Sequence, residues 1–145
     1  MKKKIAILGS TGSIGEFTLE VIRKDKKNFD VILLTANNNY KKLIQQAKEF
    51  DVKNVLIGNK NFYKKVKNSL KKNKIKVYSG NISITKIVSG KLDYTMSAVV
   101  GLAGLQPTID AIKISRTVAI ANKEAIICGW NLLLKLVEKY KTEIL

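Results

Sequence analysis

No histidine occurs among the 145 residues, and there is a single cysteine, Cys128. The first absence removes Ser-His-Asp triads, Cys-His pairs and histidine-based zinc sites. The second removes a disulfide scaffold, because one cysteine cannot staple a fold, and it accords with a cytoplasmic chain. No apolar stretch approaches the roughly 18 residues needed to span a bilayer. The basic start Met1-Lys2-Lys3-Lys4 leads into only four apolar residues before Gly9. A secretory signal needs an apolar region of about 7–15 residues. Arginine is scarce as well, with Arg23 and Arg116 the only two, and between Val52 and Leu92 no acidic residue occurs.

What is present suits a soluble globular chain of about one domain. Hydrophobic residues make up 46% and charged residues 26%. The net charge is +16, and the acid-free segment alone carries 11 lysines. Two readings compete for that segment: a surface for nucleic acid or anionic membrane, or a solvated helix face. Readers of phosphate and base edges favour arginine, which the segment lacks. The solvated face is therefore preferred, with no nucleic-acid and no membrane partner expected.

Short β-rich runs alternate with helical periodicity, which predicts an α/β fold: a doubly wound, mostly parallel sheet with helices on both faces, Rossmann-like. Ile5-Ala6-Ile7-Leu8 reads as a strand buried on both sides. Ile14, Phe17, Val21 and Ile22 form the apolar stripe of the first helix. Strands are predicted at Phe29 to Ala36, Val55 to Ile57, Val77-Tyr78, Tyr94 to Ser97 and Thr117 to Ala121. Leu43, Ile44, Ala47 and Phe50 mark a second helix, and Asn61 to Asn73 an outer one. Leu105, Ile109 and Ile112 mark another, with Pro107 tolerated in its first turn. Asn81 to Val88 fits a short helix or a strand. A last helix runs from about Lys123 to Tyr140, with Ile126, Trp130, Leu133, Leu134 and Val137 facing inward and Cys128 as core filler. Thr142 to Leu145 resembles the start of a further strand, the mark of a fragment of a longer protein.

Directly after the first strand stands Gly9-Ser10-Thr11-Gly12-Ser13-Ile14-Gly15, a G-x-x-G-x-x-G form of the dinucleotide fingerprint. Gly9 permits the tight strand-to-helix turn, Gly12 lets backbone amides approach a pyrophosphate, and Gly15 lets helix and strand pack closely. The helix end then supplies unpaired N–H groups and a positive partial charge. Thr11 and Ser13 can add hydroxyl donors. The end of the second strand decides which dinucleotide binds. An NAD site places Asp or Glu there, whereas this chain has Asn37, Asn38 and Asn39 with Lys41 and Lys42 nearby. No carboxylate repels a 2′-phosphate, which favours NADPH; the alternative is a polar loop capping the next helix.

Two further loops follow strands. Ala121-Asn122-Lys123-Glu124 stands where ligands bind an open parallel sheet. Asn122 either caps the helix or, with Glu124, approaches the nicotinamide, while Lys123 projects a positive charge at an anionic substrate. Gly101 and Gly104 mark either a close approach of backbone to ligand or a tight turn.

Gly9 to Gly15, the run Ala98 to Thr108 and Ala121 to Glu124, in this order and spacing, resemble the 1-deoxy-D-xylulose 5-phosphate reductoisomerase family. The resemblance runs from Lys4 to the last residue. It implies an NADPH-binding domain over residues 1–145, truncated just before a metal-binding catalytic domain, in an enzyme of non-mevalonate isoprenoid biosynthesis. Such enzymes rearrange 1-deoxy-D-xylulose 5-phosphate on a divalent metal (Mg or Mn) and reduce the product with NADPH to 2-C-methyl-D-erythritol 4-phosphate. Carried over, Thr11, Gly12, Ser13 and Ile14 hold the pyrophosphate. Asn39 matches the asparagine of the family's Gly-Lys-Asn motif on the adenosine side, where Asn37 and Asn38 replace the glycine and lysine. Asn122 and Glu124 contact the cofactor, and Lys123 the sugar phosphate.

The family's metal-binding Asp-Ser-Glu run has no counterpart before Leu145. No catalytic or metal-ligating residue is therefore assigned in this chain. It is expected to bind NADPH weakly and to be inactive alone, the full-length enzyme being a homodimer. Other G-x-x-G-x-x-G reductases, such as semialdehyde or homoserine dehydrogenases, and a lysine-rich nucleic-acid module are the competing readings.

Overall fold

The computed structural model describes residues 1–145. Strands β1 (Lys3–Leu8), β2 (Phe29–Ala36), β3 (Asn54–Ile57), β4 (Lys76–Ser79), β5 (Leu92–Ser97), β6 (Ser115–Ile120) and β7 (Glu143–Ile144) form one sheet. Their order is β4-β3-β2-β1-β5-β6-β7, and every neighbouring pair is parallel. Helices α1 (Ser13–Lys24), α2 (Tyr40–Glu49) and α3 (Tyr63–Leu70) link the strands that step outward from β1 to β4. Helices α4 (Leu105–Ile114) and α5 (Lys123–Tyr140) link those that step the other way, from β5 to β7. The direction of winding reverses between β1 and β5, which opens a crevice at the carboxyl ends of the strands.

Each face of the sheet carries its own core. On one, Ile5, Ile7, Val31, Leu34, Val55 and Ile57 meet Leu19 and Ile22 of α1, Leu43 and Ala47 of α2, and Val66 and Leu70 of α3. On the other, Ala6, Leu8, Leu33, Leu56 and Val118 meet Ile109 and Ile112 of α4 and Leu133 of α5. Alternation along β1 divides its residues cleanly between the two cores. In β2 the register slips, with Ile5 opposite Val31 but Ala6 opposite Leu33. That irregularity puts Val31 and Leu34, three residues apart, on the same face.

The return from β4 to β5 must cross three strands, and no regular helix does it. Residues 80–91 form one 3₁₀ turn, Ile84–Lys86, and bury Ile84, Ile87 and Val88 against the core that holds Leu33 and Leu56. Asn81 to Val88 is thus neither a full helix nor a strand. The lysine-rich stretch predicted as one outer helix is α3 flanked by single 3₁₀ turns at Lys60–Phe62 and Lys71–Asn73.

Two helices present different faces from those the periodicity predicts. In α1 the buried residues are Gly15, Leu19 and Ile22, while Ile14, Phe17 and Val21 are 43%, 66% and 51% exposed. In α5 the buried residues are Ala125, Gly129 and Leu133, and Trp130, Leu134 and Cys128 lie outside. The cause is shared. A glycine on the inward face brings the helix against its neighbour, and the bulkier side chains are turned away. A methyl group at Gly129 would sit 2.5 Å from Leu105 Cδ1 of α4. Hydropathy does not register a glycine as an inward residue.

Candidate functional site

At the carboxyl ends of β1, β2, β3 and β5 lies a cavity of about 630 Å³. Its walls come from three sources: the turn after β1 (Gly9, Thr11, Gly12), the ends of β2 and β3 (Asn37, Gly58), and Gly80 to Ile84 of the long crossing. Ala98 to Val100 and Pro107 close the side next to α4. The volume lies within the range of small-molecule and cofactor sites.

The glycine turn is held by hydrogen bonds to Thr35, at the cavity wall, and to the buried Gln46. Gly9 N–H donates to the Thr35 hydroxyl (3.0 Å) and Ser10 N–H to the Thr35 carbonyl (2.9 Å). The Ser10 hydroxyl donates to Gln46 Oε1 (2.8 Å), and Gln46 Nε2 returns a bond to the Ser10 carbonyl (2.9 Å). Both side chains are buried. Gly9 has φ +80°, and a Cβ there would lie 2.7 Å from the Ala98 carbonyl oxygen. A Cβ at Gly15 would collide with the Gly9 carbonyl and come within 2.6 Å of Ser10 Cα.

The turn that results ends at Gly12, the N-cap of α1, where no side chain caps the helix. The first three helical amides, those of Ser13, Ile14 and Gly15, have no acceptor within the helix. With Thr11 and Gly12 at the cavity wall, this end of α1 is open to an anion, and the helix dipole favours one.

Of the three asparagines only Asn37 is part of the cavity wall, and each has a different task. Asn37 lines the cavity, and its carbonyl accepts from the Asn59 N–H (2.9 Å). Asn38 Oδ1 accepts from Asn59 Nδ2 (3.0 Å), tying the end of β2 to the end of β3. Asn39 caps α2, its Oδ1 accepting from the Lys42 N–H (3.2 Å). The capping alternative is therefore realised at one asparagine of the three. Lys42 is engaged by Glu16 at 2.6 Å.

Asn122 is 3% exposed and fully used. Its Oδ1 accepts from the N–H groups of Glu124 (2.9 Å) and Ala125 (3.2 Å), which caps α5. Its Nδ2 donates to the carbonyls of Val99 and Gly101. The side chain thereby anchors the turn after β5, whose Val99 and Val100 line the cavity, and Gly104 leaves the space into which its amide fits. Gly101 (φ +73°) makes a turn in the open, with no atom near a notional Cβ. Lys123 and Glu124 stand at the start of α5, outside the cavity wall and in no ion pair.

Sequence reasoning missed the wall contributed by Gly80 to Ile84 and the residue behind it. Asp110, 3% exposed, accepts from the Ser83 hydroxyl (2.7 Å) and Gln106 Nε2 (3.0 Å), with Lys113 Nζ at 3.6 Å. The only local sign was Gly80 after a short strand. Ser10 and Gln46, 36 residues apart, carried no local sign that they pair.

Comparison with known proteins agrees with this layout. The family model described as 1-deoxy-D-xylulose 5-phosphate reductoisomerase matches residues 5–129. The protein of that name from Pelagibacter ubique is 54% identical over 142 residues, which is 97% of this chain and 37% of that protein. One from Bacteroides fragilis is 43% identical over 145 residues, again 37% of its length. The chain thus spans a little over a third of these curated relatives. Among solved structures, the Zymomonas mobilis enzyme in complex with NADPH superposes with a TM-score of 0.94 at 34% identity, over all of this chain and 38% of that one. A homoserine dehydrogenase from Thiobacillus denitrificans, at 15% identity and a TM-score of 0.56, shares the fold alone.

Proposed function

Because this chain belongs to the 1-deoxy-D-xylulose 5-phosphate reductoisomerase family, we propose that residues 1–145 are the NADPH-binding domain of such an enzyme. The observation that carries the reading is the uncapped start of α1 at the cavity wall. The pyrophosphate is held by Thr11, Gly12, Ser13 and Ile14, with the amides of Ser13 and Ile14 free to donate while that of Gly12 bonds the Gly9 carbonyl. The adenosine end runs toward Asn37, Asn38 and Asn39, and the nicotinamide end toward the turn that Asn122 anchors. In that frame Asn122 positions backbone, Glu124 meets the cofactor, and Lys123 offers its ammonium to the phosphate of the sugar substrate.

The activity proposed for the whole protein is conversion of 1-deoxy-D-xylulose 5-phosphate to 2-C-methyl-D-erythritol 4-phosphate, a step of non-mevalonate isoprenoid biosynthesis, by a cytoplasmic homodimer. A divalent metal belongs to that chemistry as a Lewis acid. The carboxylates near this cleft do not suit one. Asp110 is committed to Ser83, Gln106 and Lys113, and Glu124 stands by itself. Hard divalent ions take several oxygen ligands. The metal's ligands therefore belong to the catalytic domain proposed beyond this chain, and residues 1–145 alone are inactive.

The test is an NMR titration of the ¹⁵N-labelled chain with NADPH. The expected result is that the amides of Thr11 to Gly15 shift most, with affinity weaker than micromolar. An unmoved glycine turn at millimolar NADPH would overturn the reading. Product formed by the purified chain with metal, substrate and NADPH would overturn its inactivity.

A further inference from the structure

No lysine or arginine is among the residues that line the cleft, yet NADPH carries a phosphate on the adenosine ribose. Sites for that group keep a basic residue near the end of the second strand. Here that strand ends in three asparagines, and of the two lysines that open the next helix Lys42 already pairs with Glu16, while Lys41 is exposed and in no ion pair, one candidate for the phosphate. The neighbouring strand supplies the alternative. β3 ends at Ile57, and Gly58, Asn59 and Lys60 follow alongside the asparagine loop.

Three observations place Lys60 at this corner. First, Asn59 joins the two loops, bonding through its side chain to Asn38 and through its backbone to Asn37. Second, the Lys60 methylenes lie on Gly80, whose missing side chain makes the room: a methyl group there would strike Lys60 Cε and crowd Cγ at 3.3 Å. Gly80 itself lines the cavity, and its N–H is fixed to the Ile57 carbonyl (3.0 Å). Third, Lys60 is exposed and takes part in no ion pair or side-chain hydrogen bond, so its ammonium is uncommitted. The stem is packed and the head is free, which is the usual disposition of a lysine at the edge of an apolar surface.

We propose that Lys60 grips the 2′-phosphate and sets the preference for NADPH over NADH, with Asn38 and Asn59 as the frame that holds its loop. This rests on the reading of the cleft as a dinucleotide site. It makes Lys60 a specificity-determining residue supplied by β3, where the motif along β1 and β2 gives no hint of it. A charge-assisted phosphate contact corresponds to roughly a tenfold or larger difference in affinity.

The experiment measures dissociation constants of NADPH and NADH by NMR titration of the chain and of Lys60→Gln, Lys60→Arg and Lys41→Gln. The proposal expects Lys60→Gln to weaken NADPH about tenfold or more while NADH changes less than about twofold. Lys60→Arg keeps the preference, because the charge remains, and Lys41→Gln leaves it nearly intact. Parallel weakening of both coenzymes would assign Lys60 a purely structural task and overturn the proposal. So would an unchanged preference in Lys60→Gln, or its loss in Lys41→Gln, and in either case the cofactor site would stand. If the wild-type chain binds neither coenzyme, the cofactor reading falls and takes this one with it.

Discussion

Two strand-to-helix turns lie at the same edge of the sheet and solve the same problem in opposite ways. After β1, the turn through Gly12 leaves the start of α1 without a side-chain cap, while Ser10, Thr35 and Gln46 hold the loop from behind. After β6, Asn122 fills its own helix end and spends its remaining hydrogens on the Val99 and Gly101 carbonyls. Any helix N-terminus offers orphan amides. What differs between these two turns is whether a local side chain has already answered them.

The contrast can be broken in order of expected effect. Gly15→Val should cost at least about 3 kcal/mol, because the new side chain meets backbone that cannot yield; urea denaturation would show it, together with loss of NADPH binding. Asn122→Ala should cost about 2 kcal/mol, from a lost cap and a Val99 carbonyl left without a donor, the Gly101 carbonyl keeping the Gly104 N–H. Its mark beyond stability would be amide-exchange protection lost at residues 99–104. Gly12→Asp sharpens the comparison by giving α1 the cap that α5 has. A Cβ there meets only the Gly9 carbonyl, at 3.6 Å, so the fold should gain a few tenths of a kcal/mol. NADPH affinity should fall sharply, because a carboxylate then occupies the phosphate position. A stable variant that still binds NADPH would sink the distinction between the two turns.

The smallest effect lies away from the cleft. Arg23 Nη2 bonds Glu49 Oε2 at 3.0 Å, and this contact holds the Glu49 carboxyl below its ordinary 4.5. A depressed carboxylate stabilises the fold above its unfolded pKa and stops doing so as pH falls through the folded value. The pair is exposed, so solvent screens most of that. Arg23→Gln should leave the thermal midpoint at pH 7 within about 2 °C of wild type and slightly flatten its decline below pH 4.5. A larger change at neutral pH would mean the pair anchors α1 to α2.

Much of the fold was legible because its signals are local. The seven strands, the last only as a beginning at Thr142 to Leu145, the five helices and the glycine turn follow from apolar runs, helical spacing and the order of turns. The crossing over residues 80–91 was not, because its apolar residues fit two periodicities and its backbone follows neither. For the site, the glycine turn was readable from Gly9 to Gly15 and the asparagine loop from Asn37 to Asn39, of which only Asn37 lines the cavity. The buried Ser10–Gln46 pair, the Asp110–Ser83 contact and the placement of Lys60 on Gly80 join residues 20 to 36 positions apart.

By itself, then, the sequence determined which segments become strands and helices and where the glycine turn stands, since both depend on neighbours along the chain. Tertiary structure decided which helix faces turn inward and which polar groups stay free for a ligand. Gly15 and Gly129 outcompete Phe17 and Trp130 for the interior because close approach of two elements depends on what lies across the gap. Asn122 and Gly12 look equally available in the sequence. Only the carbonyls of Val99 and Gly101, brought up by a different strand, leave the one spent and the other open.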